Sequence, residues 1–160
     1  MQLLYYVLFA GGIVAADQFT KYLTVQNIGL WEEIPFIPGL LQLTYVQNTG
    51  AAFSSFEGQQ WLFALIFAVF TGLIVWEYRK NSMGFTGFER WCIAAIYGGG
   101  LGNMIDRIRM GYVVDMIETT FVEFPVFNVA DCFITCGCIA MMVSLFLFNK
   151  EFWKSEKKQG

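Results

Sequence analysis

Four long apolar stretches separated by short polar punctuation dominate the hydrophobic pattern of this chain. They run over about 3–23, 61–78, 88–106 and 126–148. Each approaches the roughly 20 residues that a helix rising 1.5 Å per residue needs to cross a hydrocarbon core of about 30 Å. The pattern predicts four transmembrane helices in an all-α membrane protein. The third is the weakest, because its uninterrupted apolar run covers only Trp91 to Ile105 and gains length by extending to Phe88 and Asp106. Between the first two stretches the period changes. Leu41-Gln42-Leu43-Thr44-Tyr45-Val46-Gln47 alternates and is rich in strand formers, with Pro35, Pro38 and Gly39 as turn signals before it. This predicts a short sheet on the outer surface, within a β-region over about 28–58. The segment around Asp115, between helices three and four, reads as a loop. With no internal repeat, low-complexity tract or linker, residues 1–160 read as one domain.

Composition strengthens the membrane reading. The chain is 56% hydrophobic and only 14% charged, against about 25% charged in an ordinary soluble domain. The net charge of −3 says little about partners, since in a membrane protein the position of charge matters more than its total. Nucleic-acid binding lacks its basic patch. The first apolar stretch has no basic segment before it and carries Asp17 and Lys21 near its far end. It therefore reads as a retained helix, not a cleaved signal peptide.

Lysine and arginine give this map a direction. Arg79, Lys80 and Arg90 lie between helices two and three, and Lys150, Lys154, Lys157 and Lys158 lie in the tail, which is seven of the ten basic residues. The long segment from Tyr22 to Gln60 has none. The positive-inside rule places both termini in the cytoplasm and the other two connections outside.

The unusual polar residues then fall together at the outer boundary. Asp17 and Lys21 end helix one, and Asn48 and Gly50 lie in the first outer connection. Asn103, Asp106 and Arg107 end helix three, Asp115 lies in the second outer connection, and Asn128 and Asp131 open helix four. Each has a bland reading. Asp17 and Lys21 make a local i,i+4 ion pair. Asn103 and Arg107 cap a helix or meet lipid headgroups. Asn128 and Asp131 complement a helix N-terminus, and Gly98-Gly99-Gly100 forms a close packing surface. The bland readings leave the joint arrangement unexplained.

Histidine is absent, which removes Ser-His-Asp and Cys-His nucleophiles and the commonest metal ligand. Cys92, Cys132, Cys136 and Cys138 all sit in apolar stretches and read as packed helix residues, not as a metal site or a disulfide framework. Two carboxylates held close share a proton, and such a pair activates water for attack on an amide and then protonates the leaving nitrogen. Asp115 and Asp131 are the candidates. A transporter would place charge near the midplane and show a repeated half, and the chain has neither.

At this point the chain resembles a known family. Asp17-Gln18-Phe19-Thr20-Lys21, Gln47-Asn48-Thr49-Gly50-Ala51-Ala52-Phe53, Gly98-Gly99-Gly100-Leu101-Gly102-Asn103-Met104-Ile105-Asp106-Arg107, Gly111-Tyr112-Val113-Val114-Asp115 and Phe127-Asn128-Val129-Ala130-Asp131 occur in the order of the lipoprotein signal peptidases, the type II signal peptidases of bacteria. They span most of the chain. The resemblance implies four transmembrane helices with a small β-cradle on the outer face. It also implies an aspartic endopeptidase that cuts a prolipoprotein just before a diacylglyceryl cysteine. Asp115 and Asp131 would be the catalytic pair. Asn48, Gly50, Asn103, Arg107 and Asn128 would hold substrate or order the pair, with Asp17, Lys21 and Asp106 in support. Cys132 stands where family members often have serine, and little effect is expected. No cofactor is implied. The implied partners are the lipid-modified prolipoprotein and membrane phospholipid, the implied location is the bacterial inner or plasma membrane, and a monomer is expected. The segment Ser54 to Trp61 is expected to close over the site, with Gly58 as hinge and Phe56 or Trp61 as apolar cover.

Overall fold

The computed structural model describes residues 1–50, 56 and 58–149. Among these, α1 covers Gln2–Asn27, β1 Glu33–Ile37, β2 Leu41–Asn48, α2 Gln60–Lys80, α3 Gly87–Met110, β3 Val113–Thr119 and α4 Val129–Val143. The last helix continues as a π-helical turn over Ser144–Phe148. Among the described residues, three helical segments are long and apolar enough to cross a membrane: Gln2–Asn27, Gln60–Lys80 and Val129–Phe148, with mean hydropathies of 1.3, 1.8 and 2.0. The helix α3 has the length, at 24 residues, but carries Glu89, Arg90, Asp106, Arg107 and Arg109. It packs between α1 and α4, so Glu89 and Asp106 are buried against protein.

The molecule is apolar outside and polar inside. No residue of α2 is buried, and leucines, valines and aromatics of α1, α2 and α4 are widely exposed. Asp17, Lys21, Glu89, Asn103, Asp106, Asp115 and Asn128 are buried instead. This inversion is expected where the solvent is hydrocarbon, because helix association then depends on close packing and interhelical hydrogen bonds, not on hiding apolar surface.

Glycine makes the close approach possible. A Cβ placed on Gly99 would lie 2.5 Å from the Ala130 carbonyl oxygen of α4, and one on Gly102 would lie 2.5 Å from an Asp17 carboxylate oxygen of α1. The Gly98-Gly99-Gly100 run is therefore a packing surface at Gly99. Gly99→Ala is expected to destabilise the protein by about 1–3 kcal/mol, the usual scale for overpacking. A lowered melting temperature in detergent checks it, and an unchanged one contradicts it.

The sheet is antiparallel in the order β1-β2-β3. Val46 of β2 faces Asp115 of β3, Asn48 faces Val113, and the register shifts between Leu43 and Val46. Two expectations need correction here. Asp115 is a strand residue, not a loop residue: β-branched Val113 and Val114 beside it favour extended backbone, and β2 supplies the pairing partner. The β-region also extends beyond 28–58, since its third strand comes from 113–119. Ile28, Tyr45, Val114 and Met116 form the small apolar core beneath the sheet. Residues 126 and 127 precede α4, and Phe127 exchanges backbone hydrogen bonds with Ile117.

Candidate active site

The end of α4 nearest the sheet is fixed by a capping box. Asn128 is the N-cap; its side chain accepts from the Asp131 backbone N–H at 3.0 Å, and the Asp131 carboxylate accepts from the Asn128 backbone N–H at 3.1 Å. Two otherwise orphan donors at the helix start are thus satisfied, and the side chain of Asp131 is aimed by the same bonds. Asn128 is fully buried. Its Nδ2 donates to Asp115 Oδ1 at 2.6 Å and to Asn103 Oδ1 at 3.1 Å. Asn128 therefore binds both carboxylates, one through its amide side chain and one through its backbone.

Each aspartate has a second amide. Asn48 Nδ2 donates to Asp115 Oδ2 at 2.8 Å, and Asn103 Nδ2 donates to Asp131 Oδ1 at 2.8 Å. The pairing of β2 with β3 brings Asn48 to Asp115, and α3 beside α4 brings Asn103 to Asp131. The Asn48 side-chain oxygen accepts from the Gly50 backbone N–H at 2.9 Å, and the Gly50 carbonyl accepts from Arg107 Nη2 at 2.7 Å. The Arg107 guanidinium also lies 4.2 Å from the ring centroid of Phe63 in α2, within cation–π range.

Behind this layer stands an ionic knot. Lys21 Nζ lies 2.8 Å from Asp17 Oδ2 and 2.8 Å from Asp106 Oδ2, and donates to Asn103 Oδ1 at 2.8 Å. All three ammonium donors are matched to acceptors. Asp17 Oδ1 accepts from the Ala130 backbone N–H at 3.0 Å, and Asp106 Oδ2 accepts from the Val114 backbone N–H at 3.2 Å. Asp17, Lys21 and Asp106 thus join α1 and α3 to α4 and β3 at residues adjoining both aspartates. The Asp17–Lys21 pair is the expected i,i+4 ion pair and more, since Lys21 also reaches α3.

Burial is the main influence on Asp115. Removal from water pushes its carboxyl up to about 7, and the charge of Asp131 adds to the rise, while hydrogen bonds from Asn48 and Asn128 pull the other way. A carboxyl poised there exchanges a proton near neutral pH, the property general acid–base chemistry needs.

Every polar residue singled out in the sequence lies in this lattice: Asp17, Lys21, Asn48, Gly50, Asn103, Asp106, Arg107, Asp115, Asn128 and Asp131. Sequence reasoning missed Gln18, whose Nε2 donates to Asp106 Oδ1 at 2.8 Å and to the Gly102 carbonyl at 3.2 Å. It also missed Glu89 at the far end of α3. That buried carboxylate accepts from Ser144 Oγ at 2.9 Å and Asn149 Nδ2 at 2.7 Å, tying α3 to the end of α4. Thr86 and Glu89 form a second capping box, so the Thr-x-x-Glu spacing was the available signal. Of the expected cover segment, Ser54, Ser55 and Glu57 lie outside the described residues. Phe56 and Gly58 have positive φ, and Trp61 is exposed on α2.

Comparison with known proteins decides the family. The model of the family described as signal peptidase (SPase) II matches residues 9–147. The chain belongs to the signal peptidase II family. It is 42% identical over 144 residues to the lipoprotein signal peptidase of Streptococcus pyogenes serotype M1, covering 90% of each chain. It is 42% identical over 152 residues to that of Enterococcus faecalis (strain ATCC 700802 / V583), covering 92% of this chain and 91% of the relative. A bacterial membrane enzyme solved by the in meso method at 2.3 Å superposes with a TM-score of 0.84 at 31% identity, covering 92% of this chain and 90% of that one. A second, at 1.9 Å, superposes with a TM-score of 0.81, also at 31% identity, covering 91% and 94%. This signal peptidase II is a membrane peptidase, and its buried polar lattice is the candidate active site.

Proposed function

We propose that this peptidase is an aspartic endopeptidase in which Asp115 and Asp131 act as a catalytic pair. Its family removes signal peptides during lipoprotein maturation, and the substrate is a lipid-modified prolipoprotein cut just before the diacylglyceryl cysteine. The observation that carries the reading is Asn128, which hydrogen-bonds both carboxylates at once. The pair shares one proton. The ionised member takes a proton from a water held between them as that water attacks the amide carbon. The protonated member gives its proton to the carbonyl oxygen, and a tetrahedral diol forms. The protonated aspartate then gives its proton to the amide nitrogen while the ionised one takes a proton from a diol hydroxyl, so the C–N bond breaks, a carboxylic acid and an amine are released, and the pair again holds one proton. Asn48, Gly50, Asn103, Arg107 and Asn128 orient the pair or the substrate backbone; Asp17, Lys21 and Asp106 hold those residues in place.

Residues 1–160 act as one membrane-embedded monomer with four spans, α3 being the fourth. Both termini face the cytoplasm, and the catalytic pair opens at the outer surface of the bacterial inner or plasma membrane. Surrounding phospholipid completes the site, because the diacylglyceryl tails of the substrate partition into it at about 0.8 kcal/mol per buried CH₂. The scissile amide is thereby delivered to the depth of the two aspartates.

The pH profile tests the pair. Burial raises Asp115 to about 7, so a proton needed on the pair is lost as pH rises through that value. The expected kcat/KM for a lipid-modified substrate falls above about pH 7, approaching tenfold per unit. The Asn48 hydrogen bond pulls the Asp115 value down, so Asn48→Leu is expected to move the alkaline limb to higher pH. A flat profile from pH 6 to 9, or a limb that moves to lower pH in the variant, contradicts the mechanism.

A further inference from the structure

Beside Asp115 lies a groove of about 860 Å³ that includes Trp31, Gln47, Asn48, Asp115, Phe121 and Phe124 in its lining. Every lining residue belongs to a strand or a connecting loop, and none to a helix. The part of a substrate that remains among apolar helices does not run here. A groove walled by sheet and loop suits polypeptide that is leaving the membrane, and its continuity with Asp115 fixes where that polypeptide starts.

Trp31 in its wall is held in an unusual way. Residues 29–32 form a turn in which the Glu32 N–H donates to the Gly29 carbonyl at 2.9 Å. Trp31 is its third residue, with φ of 65°. A turn with positive φ at that place favours glycine or asparagine, and a bulky side chain there is strained. The strained turn is pinned to the sheet, since the Trp31 N–H donates to the Tyr45 carbonyl at 2.9 Å. Even so, the Trp31 side chain is 67% exposed, so burial of the indole does not account for it. Phe121, also in the lining, is 65% exposed. Two aromatic rings are thus presented to a groove that opens on a catalytic carboxylate.

We propose that this groove is a binding subsite for the first residues that follow the scissile bond, and that Trp31 is its principal contact. The inference rests on the assignment of Asp115 to the catalytic pair. The ligand is a short, extended peptide segment belonging to the released protein, packed against the indole face. The left-handed turn and its hydrogen bond to Tyr45 fix where the Trp31 backbone stands beside the groove.

The test uses the full chain and two diacylglyceryl substrates identical up to the modified cysteine. One ends there as an amide and the other continues for eight neutral residues. The wild-type enzyme is expected to favour the longer substrate about fivefold to tenfold in kcat/KM, the scale of one good aromatic contact. Trp31→Gly is expected to erase that preference by raising KM for the longer substrate, and Trp31→Tyr to restore most of it. The glycine variant is expected to melt no lower than wild type, because glycine accepts the positive φ. Equal handling of the two substrates by the wild type overturns the subsite and leaves the catalytic pair standing, as does a parallel slowing of both by Trp31→Gly. Failure to cut either substrate overturns the assumed cleavage chemistry and the subsite with it.

Discussion

Asp115→Asn and Asp131→Asn are each expected to slow cleavage of a lipid-modified prolipoprotein by at least ~10³-fold, toward the upper range for loss of a general acid or base. The side chains are nearly isosteric, so the fold is expected to survive. An asparagine at 115 keeps one acceptor for the amide donors of Asn48 and Asn128, which now meet Oδ2 and Oδ1, and it no longer needs a buried charge. An asparagine at 131 still offers an oxygen to the Asn128 backbone N–H that the carboxylate now binds, so the start of α4 loses no more than about 1 kcal/mol of capping. Activity and stability should therefore separate: cleavage disappears, while the melting temperature in detergent moves by only a few degrees. Cleavage within tenfold of wild type by either variant contradicts the paired mechanism.

Lys21→Met is expected to have the largest effect on stability. Its ammonium, 3% exposed as a residue, lies between Asp17 and Asp106 at 2.8 Å from each. Methionine fills the volume but leaves two buried carboxylates without their cation. Removing one partner of a buried ion pair costs about 3–5 kcal/mol. The loss also leaves Asn128, among the described residues, as the one remaining donor to the Asn103 side-chain oxygen, which loosens the orientation that points the Asn103 amide nitrogen at Asp131. A substantially lower melting temperature and a slow residual cleavage are expected together. Adding Asp17→Asn and Asp106→Asn to the Lys21→Met variant should recover part of the stability, because the stranded charges are gone. A single variant as stable as wild type contradicts the account of the ionic knot.

The parts of the fold that were legible in the sequence are those set by local pattern. The apolar runs marked α1, α2 and α4 because length and hydropathy are properties of one segment. The helix α3 was marked less well, and runs beyond the expected 88–106 to Gly87–Met110, because its glycines and charges lower hydropathy. Gly98, Gly99, Gly102 and Asp106 among them meet α1 or α4, which the segment alone does not display. The strand β3 was missed for the same kind of reason. Its seven residues carry Asp115 in third place, and only pairing with β2, more than 60 residues earlier, makes them a strand.

The candidate site was legible as a set of residues but not as a network. Family motifs singled out Asp17, Lys21, Asn103, Asp106, Asp115, Asn128 and Asp131, and helical spacing placed Asp17 beside Lys21. Nothing local told that Lys21 reaches Asp106 and Asn103, or that the Ala130 backbone N–H donates to Asp17. Gln18 escaped notice because a glutamine beside an aspartate at a helix end is ordinary; its contact with Asp106 is 88 residues away in sequence. Trp31 drew no attention in the sequence, because a positive φ is a property of the folded backbone and not of the residue type.

The central claim is that Asp115 and Asp131 hydrolyse one amide, the bond preceding a diacylglyceryl cysteine. The direct measurement is mass-spectrometric mapping of the products formed by the purified chain from a prolipoprotein supplied with and without the lipid. The account predicts a single cut, immediately before the cysteine, in the lipidated form alone. Cleavage at another bond, or equal cleavage of the unlipidated form, would contradict it.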